Sequence, residues 1–308
     1  MLVMLDGTWY CDGWDPHLKI LHRVRATLFD DTSPFQRIQV LDTHGFGRML
    51  VIDGLPQAAE SDEGVYARAF TWPPMLARLE HGGRTTQDPQ TPSGTRVLIT
   101  GGGDGHVARE ALRFPHVTRV VVCDIDPLVT KATRELMPFM WGDAANDARL
   151  TVRHEDAMAY LAALPPASVD VVISDITDPS GEGSASHHLY SDEYVRRIKR
   201  ALTPGGVCVA QAQELSVRDA SYHERIRALL GGAFAHLRFS AVYVPSFGYP
   251  EGFVYASDDP AALTVPSAVV TERLRAAGLA GDPLFDAAVY EAMFVLPPVI
   301  RHPSGRAL

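Results

Sequence analysis

Five carboxylates and one run of glycines carry most of the chemistry legible in this chain. The segment Val97–Gly105 (VLITGGGDG) runs an apolar stretch into Gly101, Gly102, Gly103 and Gly105. Glycines there let the backbone turn tightly and approach a ligand closely. Asp124, in CDID at 123–126, closes the next apolar run about twenty residues on, where a carboxylate can accept both hydroxyls of a ribose. This combination points to a bound nucleoside. Asp104 puts a negative charge inside the cradle, where a pyrophosphate would need amide N–H groups and a positive dipole end. A dinucleotide is therefore disfavoured, and a cationic ligand such as an adenosyl sulfonium carrying an amine fits better. Asp156, in HEDA at 154–157, can accept an adenine amino hydrogen or, equally well, cap the helix that follows. Asp175 and Asp178, in SDITDP at 174–179, stand three apart beyond another apolar run. Such carboxylates can hold an ammonium, and one can take a proton from it, although Asp-Pro is also a turn former.

The elements that must position these groups follow from the apolar pattern. Val97–Thr100, Val120–Cys123, Val169–Ser174 and Val207–Gln211 predict strands buried on both faces, as in a parallel sheet. Helical patterns at His106–Phe114, Leu128–Leu136, Ala157–Ala163 and Asp192–Leu202 alternate with them. Repeated β-α units predict a doubly wound α/β sheet with its ligand site beyond the strands' carboxyl ends. The first eighty residues differ. Gln36–Ile52 gives two short alternating runs around His44-Gly45, and Asp53-Gly54 marks another turn, so a small antiparallel β domain is expected. Near Tyr66–Leu79 the pattern turns helical, and His81–Thr95 reads as an exposed linker. The expected division is 1–80 for the β domain with its gatekeeping helix, and 81–308 for the nucleoside-binding domain.

Composition sets the bounds. The 308 residues are 46% hydrophobic and 21% charged, an ordinary globular profile. A net charge of −9 argues against nucleic acid as partner. No window approaches the ~20 apolar residues of a membrane span. Cys11, Cys123 and Cys208 form no disulfide framework or zinc-type spacing, so a cytoplasmic protein is expected. His187-His188 has no third ligand at motif spacing and reads as a loop, so no metal is expected. Trp9 and Trp14 suit either packing or the wall of an alkyl-amine tunnel.

Taken in order, GGGDG (101–105), CDID (123–126), EDA (155–157) and SDITDP (174–179) resemble the successive motifs of the polyamine aminopropyltransferases, the spermidine synthases and their thermospermine-synthase-like relatives. SPFQ (33–36), FGRMLVIDG (46–54), ESDEGVY (60–66), VPSF (244–247) and MFVLP (293–297) extend the resemblance over roughly residues 18–300. It implies a Rossmann-like class I methyltransferase fold with a small N-terminal antiparallel β domain, assembled as a homodimer or homotetramer. It also implies decarboxylated S-adenosylmethionine as co-substrate, a small-molecule amine as acceptor, and methylthioadenosine as co-product. On this resemblance Gly101, Gly103, Gly105 and Ala157 line the donor site. Gln36 contacts the ribose region, Asp124 the hydroxyls, Asp156 the adenine, and Asp104 the primary amine of the aminopropyl chain. Asp175 is the base toward the attacking amine, assisted by Tyr66, while Gln57, Asp178, Gln211 and Phe247 flank the acceptor.

Three departures stand out. Phe247 lacks the hydroxyl of the usual tyrosine, and His106 replaces a small residue after GGGDG. Tyr66 is followed by Ala67 and Arg68 instead of a polar residue and Glu. Counted among the substrate contacts, Arg68 would repel the far ammonium of a diamine and imply an unusual acceptor. Turned outward onto a carboxylate, it would leave the standard reading undisturbed. Two rivals remain: an S-adenosylmethionine-dependent amine N-methyltransferase on the same scaffold, and a catalytically silent nucleoside-binding relative. Asp104 speaks against the first by repelling a carboxylate, and retention of Asp175 with Tyr66 speaks against the second.

Overall fold

The computed structural model describes residues 6–13, 15, 17–79, 94–177 and 184–301. Trp14, Asp178, nearly all of the expected linker and the tail beyond Arg301 lie outside the described residues. Strands β1 (Trp9–Cys11), β2 (Leu21–Thr32), β3 (Arg37–Thr43), β4 (Gly47–Ile52) and β5 (Leu55–Ala59) form an antiparallel sheet in sequential order. The Asp53-Gly54 turn has positive φ at both residues, 48° and 81°, as a two-residue hairpin with right-handed strand twist requires. Alternation gives the sheet two apolar faces. Ile38, Val40, Leu50, Ile52 and Ala58 pack onto Val129, Ala132, Met140 and Trp141 of the second domain. Leu41, Met49, Val51 and Ala59 face the other way, toward Tyr10, Val24 and Phe46.

The second sheet contains β6 (Thr95–Gly101), β7 (Val117–Cys123), β8 (Leu150–Arg153), β9 (Val169–Asp175), β10 (Leu202–Glu214), β11 (His236–Val244) and β12 (Tyr249–Ser257). Their order is β11-β12-β10-β9-β6-β7-β8. From β10 to β8 every pairing is parallel, while β12 runs antiparallel to both β10 and β11. This is the class I methyltransferase order expected for the chain. β6 leads by crossover to β7 on one side and has β9 on the other, so the chain reverses its direction of travel at β6 and opens a crevice there. Helix Glu63–Arg78 links the two sheets and is buried along almost its whole length. Its Phe70, Trp72, Met75 and Leu76 join the core formed by Val97, Ile99, Val171 and Phe253. A helix apolar on nearly every side has to lie inside the fold.

Candidate active site

The crevice between β6 and β9 is a cleft of about 1020 Å³, measured out to its open mouth. Gly101 pairs with Asp175 across the two strands, and the Gly102 amide donates to the Asp175 carbonyl at 2.9 Å. A Cβ on Gly101 would stand 2.0 Å from that carbonyl oxygen, and φ there is +75°, so glycine is required. The Gly103 amide donates to Asp124 Oδ2 at 2.9 Å, and the Asp126 amide to Asp124 Oδ1 at 2.8 Å. A Cβ on Gly103 would meet the same carboxylate at 2.7 Å. The loop is therefore fitted around Asp124 before any ligand arrives.

Gln36, Gln57, Tyr66, Gly101, Gly103, Asp104, Asp124, Asp156, Ala157, Asp175, Gln211 and Phe247 all line this one cleft. Gly105 does not. It starts the helix His106–Leu112 with φ +93°, and a Cβ there would strike the Trp141 ring at 2.3 Å. Its role is to let the helix begin where the loop ends. Gln36 Nε2 donates to Asp126 Oδ2 at 3.1 Å, as does Ser33 Oγ at 2.7 Å, which ties the N-terminal sheet to the cleft wall. Asp156 caps helix Ala157–Ala163 by accepting from the Ala159 amide, and its other oxygen lies 2.6 Å from His188 Nε2. Both expected functions of this residue thus remain open to it. Gln211 Nε2 donates to the Ile176 carbonyl at 3.0 Å. Asp62 accepts from the Ser246 amide and hydroxyl, fixing the start of helix Glu63–Arg78 against the loop that carries Phe247.

Of the two placements open to Arg68, the structure shows the outward one, and its count among the substrate contacts is corrected. Arg68 lies outside the cleft, on the opposite side of its helix, with Nε 2.9 Å from Asp282 and Nη1 3.7 Å from Glu110. Its guanidinium is held by buried carboxylates and takes no part in lining the amine site.

The reactive centre lies where helix and strands meet. Tyr66 Oη donates to Asp175 Oδ1 at 2.9 Å. Burial, reinforced by the Asp175 carboxylate, raises the Tyr66 pKa well above its usual value, so the phenol stays a donor. Burial pushes the Asp175 carboxyl up to about 7, with Asp104 adding to the rise. Burial likewise pushes Asp104 up to about 7, helped by Asp124 and Glu63. Asp104, His106 and Asp175 each offer an atom within 4.8 Å of the others, a spacing that can hold a cation. Two carboxyls kept close to neutral by burial are poised to accept the protons or the charge of ammonium groups.

These shifts have a stability consequence. Asp175 binds its proton more readily in the fold than in the unfolded chain, so its contribution is favourable at low pH and is lost as pH rises toward 7. The ligand-free Asp175→Asn protein should therefore gain melting temperature over wild type between pH 5 and pH 8. A constant difference across that range, followed by calorimetric scans, would contradict a buried carboxyl that ionises near neutrality.

Sequence reasoning missed three residues of this region. Glu251 lines the cleft and is buried. Glu63 stands behind His106, and His188 reaches Asp156 from a short turn of helix at His187–Leu189. Only the unusual type at position 106 hinted at this arrangement.

The comparisons agree with this geometry. Residues 83–263 match the spermine/spermidine synthase domain, and residues 8–60 match the spermidine synthase tetramerisation domain. A polyamine aminopropyltransferase of Aeropyrum pernix is 38% identical over 257 residues, covering 83% of this chain and 77% of that protein. One from Sulfolobus acidocaldarius is 30% identical over 300 residues, covering 97% and 93%. Among solved structures, a spermidine synthase in complex with the transition-state analogue AdoDATO superposes with a TM-score of 0.81 at 23% identity, over 96% of this chain and 94% of that one. The spermidine synthase of Thermotoga maritima gives 0.80 at 23% identity, over 98% and 95%. The chain belongs to the spermine/spermidine synthase family.

Proposed function

We propose that this protein is a polyamine aminopropyltransferase, moving the aminopropyl group of decarboxylated S-adenosylmethionine to an amine and releasing methylthioadenosine. The observation that carries this reading is the placement of Asp104, which is buried, and Asp175, whose side chain is 13% exposed, beside a glycine cradle built around Asp124. Asp124 and Gln36 face the ribose, Asp156 the adenine amino group, and Asp104 the amine of the aminopropyl chain. Asp175, oriented by Tyr66, takes a proton from the acceptor ammonium. The free amine then attacks the sulfonium-bound carbon in line, the C–N bond forms, and the C–S electron pair stays on sulfur as a neutral thioether. Such a displacement depends on a deprotonated nucleophile in near-attack geometry. Gln57, Gln211 and Phe247 flank the acceptor.

Calorimetry with the two donors tests the reading. Decarboxylated donor should bind at least about 10-fold more tightly than S-adenosylmethionine, because only the latter brings a carboxylate toward Asp104. Asp104→Asn should narrow that gap. Equal or reversed affinities in the wild type would favour the methyltransferase. The base predicts a second result: kcat/KM should fall as pH drops below about 7, where Asp175 is protonated in the free enzyme. A flat profile from pH 8 to pH 5.5 would remove that role.

For assembly we favour a homodimer or homotetramer. The tetramerisation-domain match and the exposed Leu18, Leu21, Leu28 and Phe35 of the N-terminal segment support it. The unpaired Cys11, Cys123 and Cys208 suit the cytoplasm.

A further inference from the structure

His106 is buried to 2% exposure, and neither ring nitrogen has a hydrogen-bond partner. Such a side chain demands an explanation, since buried polar atoms are almost always paired. Its Nε2 points at Asp175 Oδ2, 3.9 Å away, and its Nδ1 at Glu63 Oε2, 4.0 Å away, with Asp104 Oδ2 at 3.8 Å from the same nitrogen. The ring therefore stands between Asp175 on one side and Asp104 and Glu63 on the other; with Asp104 engaged by the aminopropyl ammonium, Glu63 is the acceptor left to Nδ1. Asp175 and His106 line the substrate cleft, whereas Glu63 lines a separate groove behind helix Glu63–Arg78, beside Arg109 at 2.8 Å. His106 is the partition between the two spaces. The Tyr66 ring lies 5.4 Å away, and Glu110 and Arg109 complete the charged surroundings.

We propose that His106 is the relay by which the proton taken up by Asp175 leaves the substrate-filled cleft, passing to Glu63 and the groove behind the helix. This role rests on the aminopropyl-transfer reading. Each turnover converts one ammonium acceptor to the free amine, so one proton arrives on Asp175 while substrates occupy the cleft mouth. Neutral His106 with its hydrogen on Nδ1 accepts that proton at Nε2 and releases the Nδ1 proton to Glu63. No charge accumulates on the ring, and a half-turn of the imidazole about its Cβ–Cγ bond brings the remaining hydrogen back to the Glu63 side, so the net proton stays on Glu63. Each transfer needs the gap to close by about 1 Å, the scale on which catalytic contacts tighten when substrate is bound. Burial lowers the His106 pKa, which keeps the ring in the neutral form the relay uses.

The test compares wild type, His106→Ala and Glu63→Gln in aminopropyl transfer, with donor binding measured for each. His106→Ala should lose about 10-fold or more in turnover, show a larger solvent deuterium isotope effect, and regain activity when imidazole is added. Glu63→Gln should show the same slowing and isotope effect without imidazole rescue. Turnover of His106→Ala close to wild type, or a loss that imidazole does not restore and that leaves the isotope effect unchanged, would overturn the relay. If His106→Ala no longer binds donor, the isotope effect of Glu63→Gln decides, and an unchanged value rejects the relay. Wild-type protein that makes no methylthioadenosine would instead refute the aminopropyl reading itself.

Discussion

Asp175→Asn should bind donor as tightly as the wild type yet turn over about 10²-fold more slowly or worse, the scale of general-base catalysis. The substitution preserves shape, and the amide oxygen can still accept from Tyr66 Oη, which lies 2.9 Å from the native carboxylate. The backbone contacts that hold the glycine loop use the Asp175 carbonyl, so the cradle survives. What disappears is the carboxylate that accepts from Tyr66 Oη and can take a proton near neutrality. Single-turnover rates with saturating donor read this directly. Turnover near wild type would remove Asp175 from the base role and point to a deprotonated acceptor arriving from solution.

Arg68→Glu should destabilise the fold by roughly 3 kcal/mol, the lower end of the cost of breaking a buried ion pair. Arg68 meets Asp282 and Glu110, whose side chains are only 2% and 1% exposed. The cost stays at the lower end because both acids keep Arg113, at 3.0 Å from each, and Glu110 also keeps Arg109 and the Trp72 indole N–H. A glutamate at position 68 would add a third carboxylate to that cluster. From the sequence, counting Arg68 among the substrate contacts implies that the same change restores a favourable charge to the amine site and improves polyamine use, whereas an outward Arg68 implies no gain. The structure shows the outward placement, with the guanidinium pointing away from the cleft. Denaturant unfolding should show the loss, and kcat/KM for putrescine or spermidine should not rise. An improved kcat/KM in a stable variant would contradict this placement.

The contrast between Gly101 and Arg68 shows what the sequence makes legible. A glycine whose Cβ would strike the neighbouring strand can be read from type and spacing, because few other conformations fit. The four central strands were legible for a similar reason, since apolar runs buried on both faces look alike in any parallel sheet, and the helix Ala157–Ala163 was legible behind its capping Asp156. Arg68 was not legible, because its partners Glu110 and Asp282 are 42 and 214 positions away and no local pattern announces them. Strand β2 was missed because its twelve residues are mostly solvent-facing and include Arg23, Arg25, Asp30 and Asp31, so hydrophobic alternation is weak. His106 was visible only as an odd residue. Its meaning depends on Glu63 and Asp175, which converge through tertiary packing alone.

The central claim is best tested by the products. Purified protein is incubated with decarboxylated S-adenosylmethionine or with S-adenosylmethionine across putrescine, cadaverine, agmatine and spermidine, and the nucleoside released is identified by mass spectrometry. The expected products are methylthioadenosine and an acceptor heavier by one aminopropyl group, with turnover only on the decarboxylated donor. S-adenosylhomocysteine with a methylated amine from the full donor, or no nucleoside product from either, would contradict the claim.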